Sequence, residues 1–280
     1  GERGPPDHGR RDVDAHGVPR VHDELARTEG GHLLFLRRPA GTVPALFGIW
    51  VPASVWDELA STRTGVAYHV FLHPLGTRGD ALYPVGRRSM ALVNRYMLQY
   101  SRAYGDRMSL VHQHAAARKK VVLVFPVGTP ANLHDMESAD LFAAALREVH
   151  RELLRLAGRG LSHVPIGRVA VSGWSFGGVR VGRLLRSLRR HPDSVLHALL
   201  KEVYFFDGAS GLQEHASTGL ITEARIEAKH WFHASDEHHL RVYAQNTFWQ
   251  ALVQSEPAHG WTHGLSRQPV DSARPVGDVL

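Results

Sequence analysis

The segment Gly173-Trp174-Ser175-Phe176-Gly177-Gly178 carries the strongest chemical signal in this 280-residue chain, a G-x-S-x-G pattern set where a strand-like run ending at Val171 gives way to helical periodicity. In that context the serine stands on a sharp turn with its hydroxyl presented at the end of a sheet. Glycines flank it because a side chain there would collide with the neighbouring strand or helix. A serine hydroxyl is a weak nucleophile until a base takes its proton, so the pattern calls for a histidine, and for an acid to orient that histidine. The chain has no cysteine, which removes thiolate chemistry, disulfides and cysteine-ligated zinc. Its 20 histidines make none of them informative by type alone. The cluster His230, His233, Asp236, His238 and His239 invites a metal reading. In the strand expected there, however, residues three apart point to opposite faces, and no metal or other cofactor is expected.

A nucleophile, an acid and a base distant in sequence must be brought together by the fold, and the chain alternates strand-like runs with helical stretches. Short apolar, β-branched runs predict strands at Leu33 to Leu36, Ala45 to Val51, Val66 to Leu72, Val121 to Phe125, Arg168 to Val171, Glu202 to Phe206 and His230 to His233. The central runs are apolar on both faces, the mark of a parallel sheet covered on both sides, and the short links between the first three suit a mixed edge. Between them, Leu141, Phe142, Ala145, Leu146, Val149, Leu153 and Leu156 share one helical face, and Gly158 ends that helix. A later helix is predicted over roughly Glu237 to Gln254, with Pro257 as its stop. The fold class that follows is α/β: a three-layer sandwich with a mostly parallel sheet of about eight strands.

With that placement the chain resembles the α/β-hydrolase superfamily from Leu33 to Leu265, with an elbow after the fifth strand and a histidine near the end. The resemblance implies a serine hydrolase that cleaves carboxylic esters through an acyl-enzyme, with a Ser-His-Asp triad and Ser175 as nucleophile. It places the acid after the seventh strand, so Asp236 is the acid expected, with Asp207, after the sixth strand, the rarer alternative. Each aspartate also has a structural use, Asp236 as a helix cap and Asp207-Gly208 as a turn pair. The oxyanion hole implied by the resemblance uses the backbone N–H of Phe176 and one from the loop His73-Pro74-Leu75-Gly76-Thr77. Proline has no N–H, so Leu75 is the second donor expected, and Gly76 follows it. Phe125-Pro126-Val127-Gly128-Thr129 echoes that loop after the fourth strand. A thioesterase or acyltransferase would share the triad, and a non-catalytic binding module would keep the elbow alone.

The base is chosen by chain length. A helix ending near Glu256 leaves the chain at the sheet edge opposite the elbow, and it must return by a strand length. From Pro257 to His259 only about 7 Å of extended chain is available, whereas His263 has about 20 Å, enough for a brief eighth strand through Trp261 and Thr262. His263 is therefore the base expected, with His259 the alternative if the helix ends early. Only about twenty residues, Gly208 to Lys229, separate the sixth and seventh predicted strands, too few for a large cap. An open site resembles that of the smaller secreted esterases, cutinases and polyester depolymerases, a resemblance that implies a small-molecule or polymeric ester and favours a secreted or periplasmic setting over a cytoplasmic one.

Composition bounds the rest. Hydrophobic residues make up 43% and charged residues 21%, which fits a soluble globular domain. The longest apolar run, Val121 to Val127, is far short of the roughly 20 residues that a membrane-spanning helix needs, so stable membrane insertion is not expected. The charge of +6 rests on arginine, only Lys119, Lys120, Lys201 and Lys229 being lysine. The basic residues are scattered, and the largest group (Arg180, Arg183, Arg186, Arg189, Arg190) reads as a solvated helix face, so nucleic acid is not an expected partner. Residues 1–22 are predicted to be a flexible lead, 23–266 the folded domain and 267–280 a loosely packed tail.

Overall fold

The computed structural model describes residues 30–38, 42–59, 65–74, 93–98, 110–128, 133–158, 164–206 and 216–243. Among the described residues seven strands form one sheet: β1 (Gly31–Arg37), β2 (Leu46–Pro52), β3 (Val66–Leu72), β4 (Val121–Val127), β5 (Ile166–Trp174), β6 (Leu200–Phe206) and β7 (His239–Tyr243). Their order is β1-β2-β4-β3-β5-β6-β7. Strand β2 runs antiparallel to β1 and β4, and the strands from β4 through β7 are parallel to one another. Every residue of β2 and β4 is buried, as expected of strands covered on both faces. The expected lead segment and tail, and the eighth strand through Trp261 and Thr262, lie outside the described residues.

Two helical layers close the sheet. Helices α1 (Ala53–Leu59), α3 (Ala139–Leu156), α4 (Phe176–Arg190), α5 (Leu196–Leu199) and α6 (Ala216–His233) contribute to the core on one face. Helix α2 (Leu110–Ala117) and the π-helix Val93–Leu98 pack on the other, against Leu33, Trp50, Leu123 and Phe125. Helix α3 follows the predicted apolar face, and Gly158, at φ +72°, takes the left-handed conformation that ends it.

The seventh strand corrects the sequence reading. His230 to His233 is the last turn of α6, not a strand, and where a helix from Glu237 is expected the chain makes a turn and enters β7 at His239. The buried positions Ala224, Ala228 and Trp231 recur at helical spacing, and Gly182 of α4 lies so close that a Cβ on it would meet Ala224 Cα at 2.4 Å. In β7, Leu240 and Val242 are buried while the intervening Arg241 lies over the Tyr204 ring, a period of two. The arginine face of α4 also differs from expectation. Arg180 and Arg183 pair with Glu137, and Arg186 and Arg189 pair with Glu223 or Glu227 of α6, so much of this charge is matched inside the fold.

Candidate active site

The sheet topology selects one edge before any side chain is considered. From β3 the chain crosses through α2 on one face to reach β4, whereas β5 hands over to α4 on the opposite face. Strands β3 and β5 are adjacent and parallel, with Leu72 beside Gly173. Their outgoing loops therefore part to opposite sides, and a crevice opens at the carboxyl ends where such sheets bind ligands. His73 and Pro74 leave β3 at that point, and Ser175 leaves β5.

Ser175 holds φ +52° and ψ −122°, a conformation that costs a non-glycine residue on the order of 1 to 3 kcal/mol. Its neighbours explain how the strain is kept. A Cβ on Gly173 would come within 2.3 Å of the Gly177 carbonyl carbon, and one on Gly177 within 2.0 Å of the Leu72 carbonyl oxygen. Only glycine lets β3, β5 and α4 close on one another this tightly. Ser175 N–H donates to the Phe206 carbonyl at 3.1 Å, tying the turn to the end of β6, and the serine itself is half-buried. It precedes the first residue of α4, so the helix's free N–H groups and positive dipole end face the space beside the hydroxyl. Phe176, the expected oxyanion donor, is that first residue.

A seven-strand mixed sheet between two helical layers, with a strained Ser elbow after β5 at the switch point, settles the architecture. The chain has the α/β-hydrolase fold. Strand order, crossovers and elbow carry that assignment together. No family model and no curated protein matches this sequence. Among solved structures the chain is similar to an inhibited esterase B from Lactobacillus rhamnosis, at 14% identity over 89% of this chain and 78% of that one, with a TM-score of 0.40. It is also similar to LipA, a rice cell wall degrading esterase from Xanthomonas oryzae, at 17% identity and TM-score 0.33 over 62% of this chain. The chain spans 40% of the length of that Xanthomonas protein.

The corrected β7 separates the two candidate acids of this hydrolase fold. Asp236 is exposed and lies in the turn before β7, and Glu202 of β6 pairs with His239, at the amino end of the parallel strands. The active edge lies at Tyr243 and Phe206, about 13 Å of strand away. Asp236 is therefore at the end of the sheet opposite Ser175. Asp207 directly follows Phe206, whose carbonyl holds the Ser175 N–H. After Tyr243 the sequence offers no carboxylate before Glu256. Asp207, Leu75, Gly76, His259 and His263 lie outside the described residues.

His73 is fully buried between the loops that leave β3 and β4. Its Nδ1–H donates to the Pro74 carbonyl at 2.6 Å, and its Nε2 accepts the Gly128 N–H at 3.4 Å. The echo of His73-Pro74-Leu75-Gly76-Thr77 in Phe125-Pro126-Val127-Gly128-Thr129 thus belongs to two neighbouring parallel strands that end at one rim and are bridged there.

A second serine and histidine set, missed in the sequence, sits beneath the site. The Ser172 hydroxyl lies 2.6 Å from His69 Nε2, His69 Nδ1 lies 2.8 Å from His114 Nε2, and His114 Nδ1 lies 2.7 Å from the Leu110 carbonyl. The carbonyl accepts only, so His114 carries its proton on Nδ1, His69 donates from Nδ1, and Ser172 donates to His69 Nε2. Every hydrogen has one acceptor. Exposures of 0%, 0% and 1% for Ser172, His69 and His114 close this set to any substrate. Burial pushes His114 down to about 4, and it holds His69 well below its ordinary value, helped by His114. Among the described residues no three His, Cys, Asp or Glu gather to hold a metal ion, and no helix is long and apolar enough to cross a membrane.

This chain of neutral groups should make the fold acid-sensitive. Between about pH 6.5 and pH 4 the unfolded protein protonates His114 and the folded protein does not, so stability should fall as pH drops through that window and level off below it, by about 3 kcal/mol for His114 alone. Urea titrations of the wild type and His114→Gln, in which an amide can bridge His69 and Leu110 without titrating, should show a shallower pH slope for the variant. Equal slopes would remove His114 as the cause.

Proposed function

We propose that the protein is a serine hydrolase that cleaves carboxylic esters through an acyl-enzyme. The observation that carries this reading is the strained Ser175, held at the switch point of the sheet with the N-terminus of α4, which its own side chain does not cap, beside it. His263 accepts the hydroxyl proton as Ser175 Oγ attacks the ester carbonyl, and Asp207 holds the imidazole in the tautomer that leaves Nε2 free. The oxyanion forms against the N–H groups of Phe176 and Leu75, with the positive end of α4 adding to their field. His263 then gives its proton to the departing alcohol, leaving the acyl group on Ser175. Water, deprotonated by the same histidine, releases the acid and restores the serine.

The test is reaction of the native protein with a fluorophosphonate probe, followed by peptide mapping and a panel of nitrophenyl esters and acyl thioesters. Labelling at Ser175 with ester turnover is the expected result. Labelling with thioester cleavage alone would move the substrate class to thioesters, and no labelling of folded protein would leave a binding module.

A further inference from the structure

We propose that Arg180 is a positioning residue for the elbow: its guanidinium, fixed by Glu137, holds the Phe176 ring and with it the backbone N–H that follows Ser175. The inference rests on the hydrolase reading above and adds to it a residue outside the triad and the oxyanion hole. Arg180 lies one turn after Phe176 on α4, and helical side chains lean back toward the N-terminus, so its head group reaches over the first turn. Its Cζ stands 5.4 Å from the centre of the Phe176 ring, and Arg183 Cζ stands 5.8 Å from it. Both contacts have the geometry of a cation on an aromatic face.

Arg180 is only 1% exposed, a placement arginine tolerates when its charge is matched. Glu137 supplies the match: Oε1 accepts from Arg180 Nη1 at 3.1 Å and Oε2 from Arg183 Nη1 at 3.0 Å. The carboxylate comes from the 3-10 helix His134–Glu137, reached from β4, and not from α4 itself. That short helix is fixed in turn by buried Met136 and by Ala139 N–H, which donates to Ser187 Oγ at 3.0 Å. A segment after β4 is thus tied through two arginines to the first side chain of α4. A buried ion pair adds little net stability compared with apolar packing of the same volume, so stability alone gives weak reason for this arrangement. An oxyanion donor, by contrast, must stay within about 0.5 Å of its working position. Phe176 is the side chain through which that donor can be gripped.

The test is a double-mutant cycle with Arg180→Met and Phe176→Leu, read by kcat and KM on a short-chain nitrophenyl ester well below the thermal transition. Each single variant should lower kcat roughly tenfold or more with KM little changed, because the donor is needed chiefly in the transition state. The double variant should fall no further than the worse single one, since both remove the same grip. Arg180→Lys, which keeps the cation on the ring, should recover part of the loss, and Arg180→Gln, which removes the cation but keeps a polar partner for Glu137, replaces Arg180→Met in the cycle if that variant does not fold. A lowered melting temperature with unchanged kcat, or losses that multiply in the double variant, overturns the positioning role. Wild-type protein that takes no label at Ser175 overturns the hydrolase reading and this proposal together.

Discussion

Ser175→Ala should lower ester turnover by about 10⁶-fold, because removing the hydroxyl deletes the covalent step while leaving substrate binding and the oxyanion donors in place. The fold should not register the loss, since alanine at φ +52° is as strained as serine. Ser175→Gly makes the complementary point. Glycine adopts that conformation without strain, and after its greater loss of chain entropy is deducted the variant should be about 1 kcal/mol more stable than the wild type, and equally inactive. Steady-state rates and urea midpoints for the two variants check both halves. Retention of more than about a tenth of the activity by either would exclude Ser175 as nucleophile. A Ser175→Gly variant less stable than the wild type would mean that the elbow conformation stores no strain.

The elbow was legible because its requirements are local. Gly173 and Gly177 are demanded by backbone atoms within a few residues or on the next strand, and the pattern of residue types records that demand. Strand β4 was legible for a similar reason, since burial on both faces leaves the unbroken apolar run Val121–Val127. The end of the sheet was not. His230-Trp231-Phe232-His233 has the aromatic content of a strand, yet Trp231 is buried as the continuation of Ala224 and Ala228 along α6. Conversely, Leu240 and Tyr243 have helical spacing in the sequence, but Leu240 and Val242, two apart on the strand, both enter the core. In a run of five residues the two periods differ by a single position, and only packing against β6 decides between them. The buried Ser172, His69 and His114 chain was invisible for another reason: its members come from β5, β3 and α2, and nothing in the sequence marks them as neighbours.

That shift of one strand carries the second large prediction. With β7 at His239–Tyr243, Asp207→Asn should reduce turnover on the order of 10⁴-fold, because the amide would hold the base in the wrong tautomer, whereas Asp236→Asn should leave activity close to that of the wild type. The reasoning is one of register. Trp174 pairs with Phe206 and Phe206 with Tyr243, so these three strand ends share one rim, and of the residues that follow them in the sequence, Ser175, Asp207 and Ala244, only Asp207 is an acid. Asp236 is an exposed turn residue ahead of His239, and any cost of its removal should appear as stability, not rate. The two losses should also differ in their dependence on pH: Asp207→Asn removes the group that supports the imidazolium, so its residual activity should gain from added hydroxide, while the Asp236→Asn profile should overlay the wild type. A profile in which Asp236→Asn is the inactive variant would require the carboxylate to act from the opposite end of the sheet, and would break the pairing of Glu202 with His239 on which β7 rests.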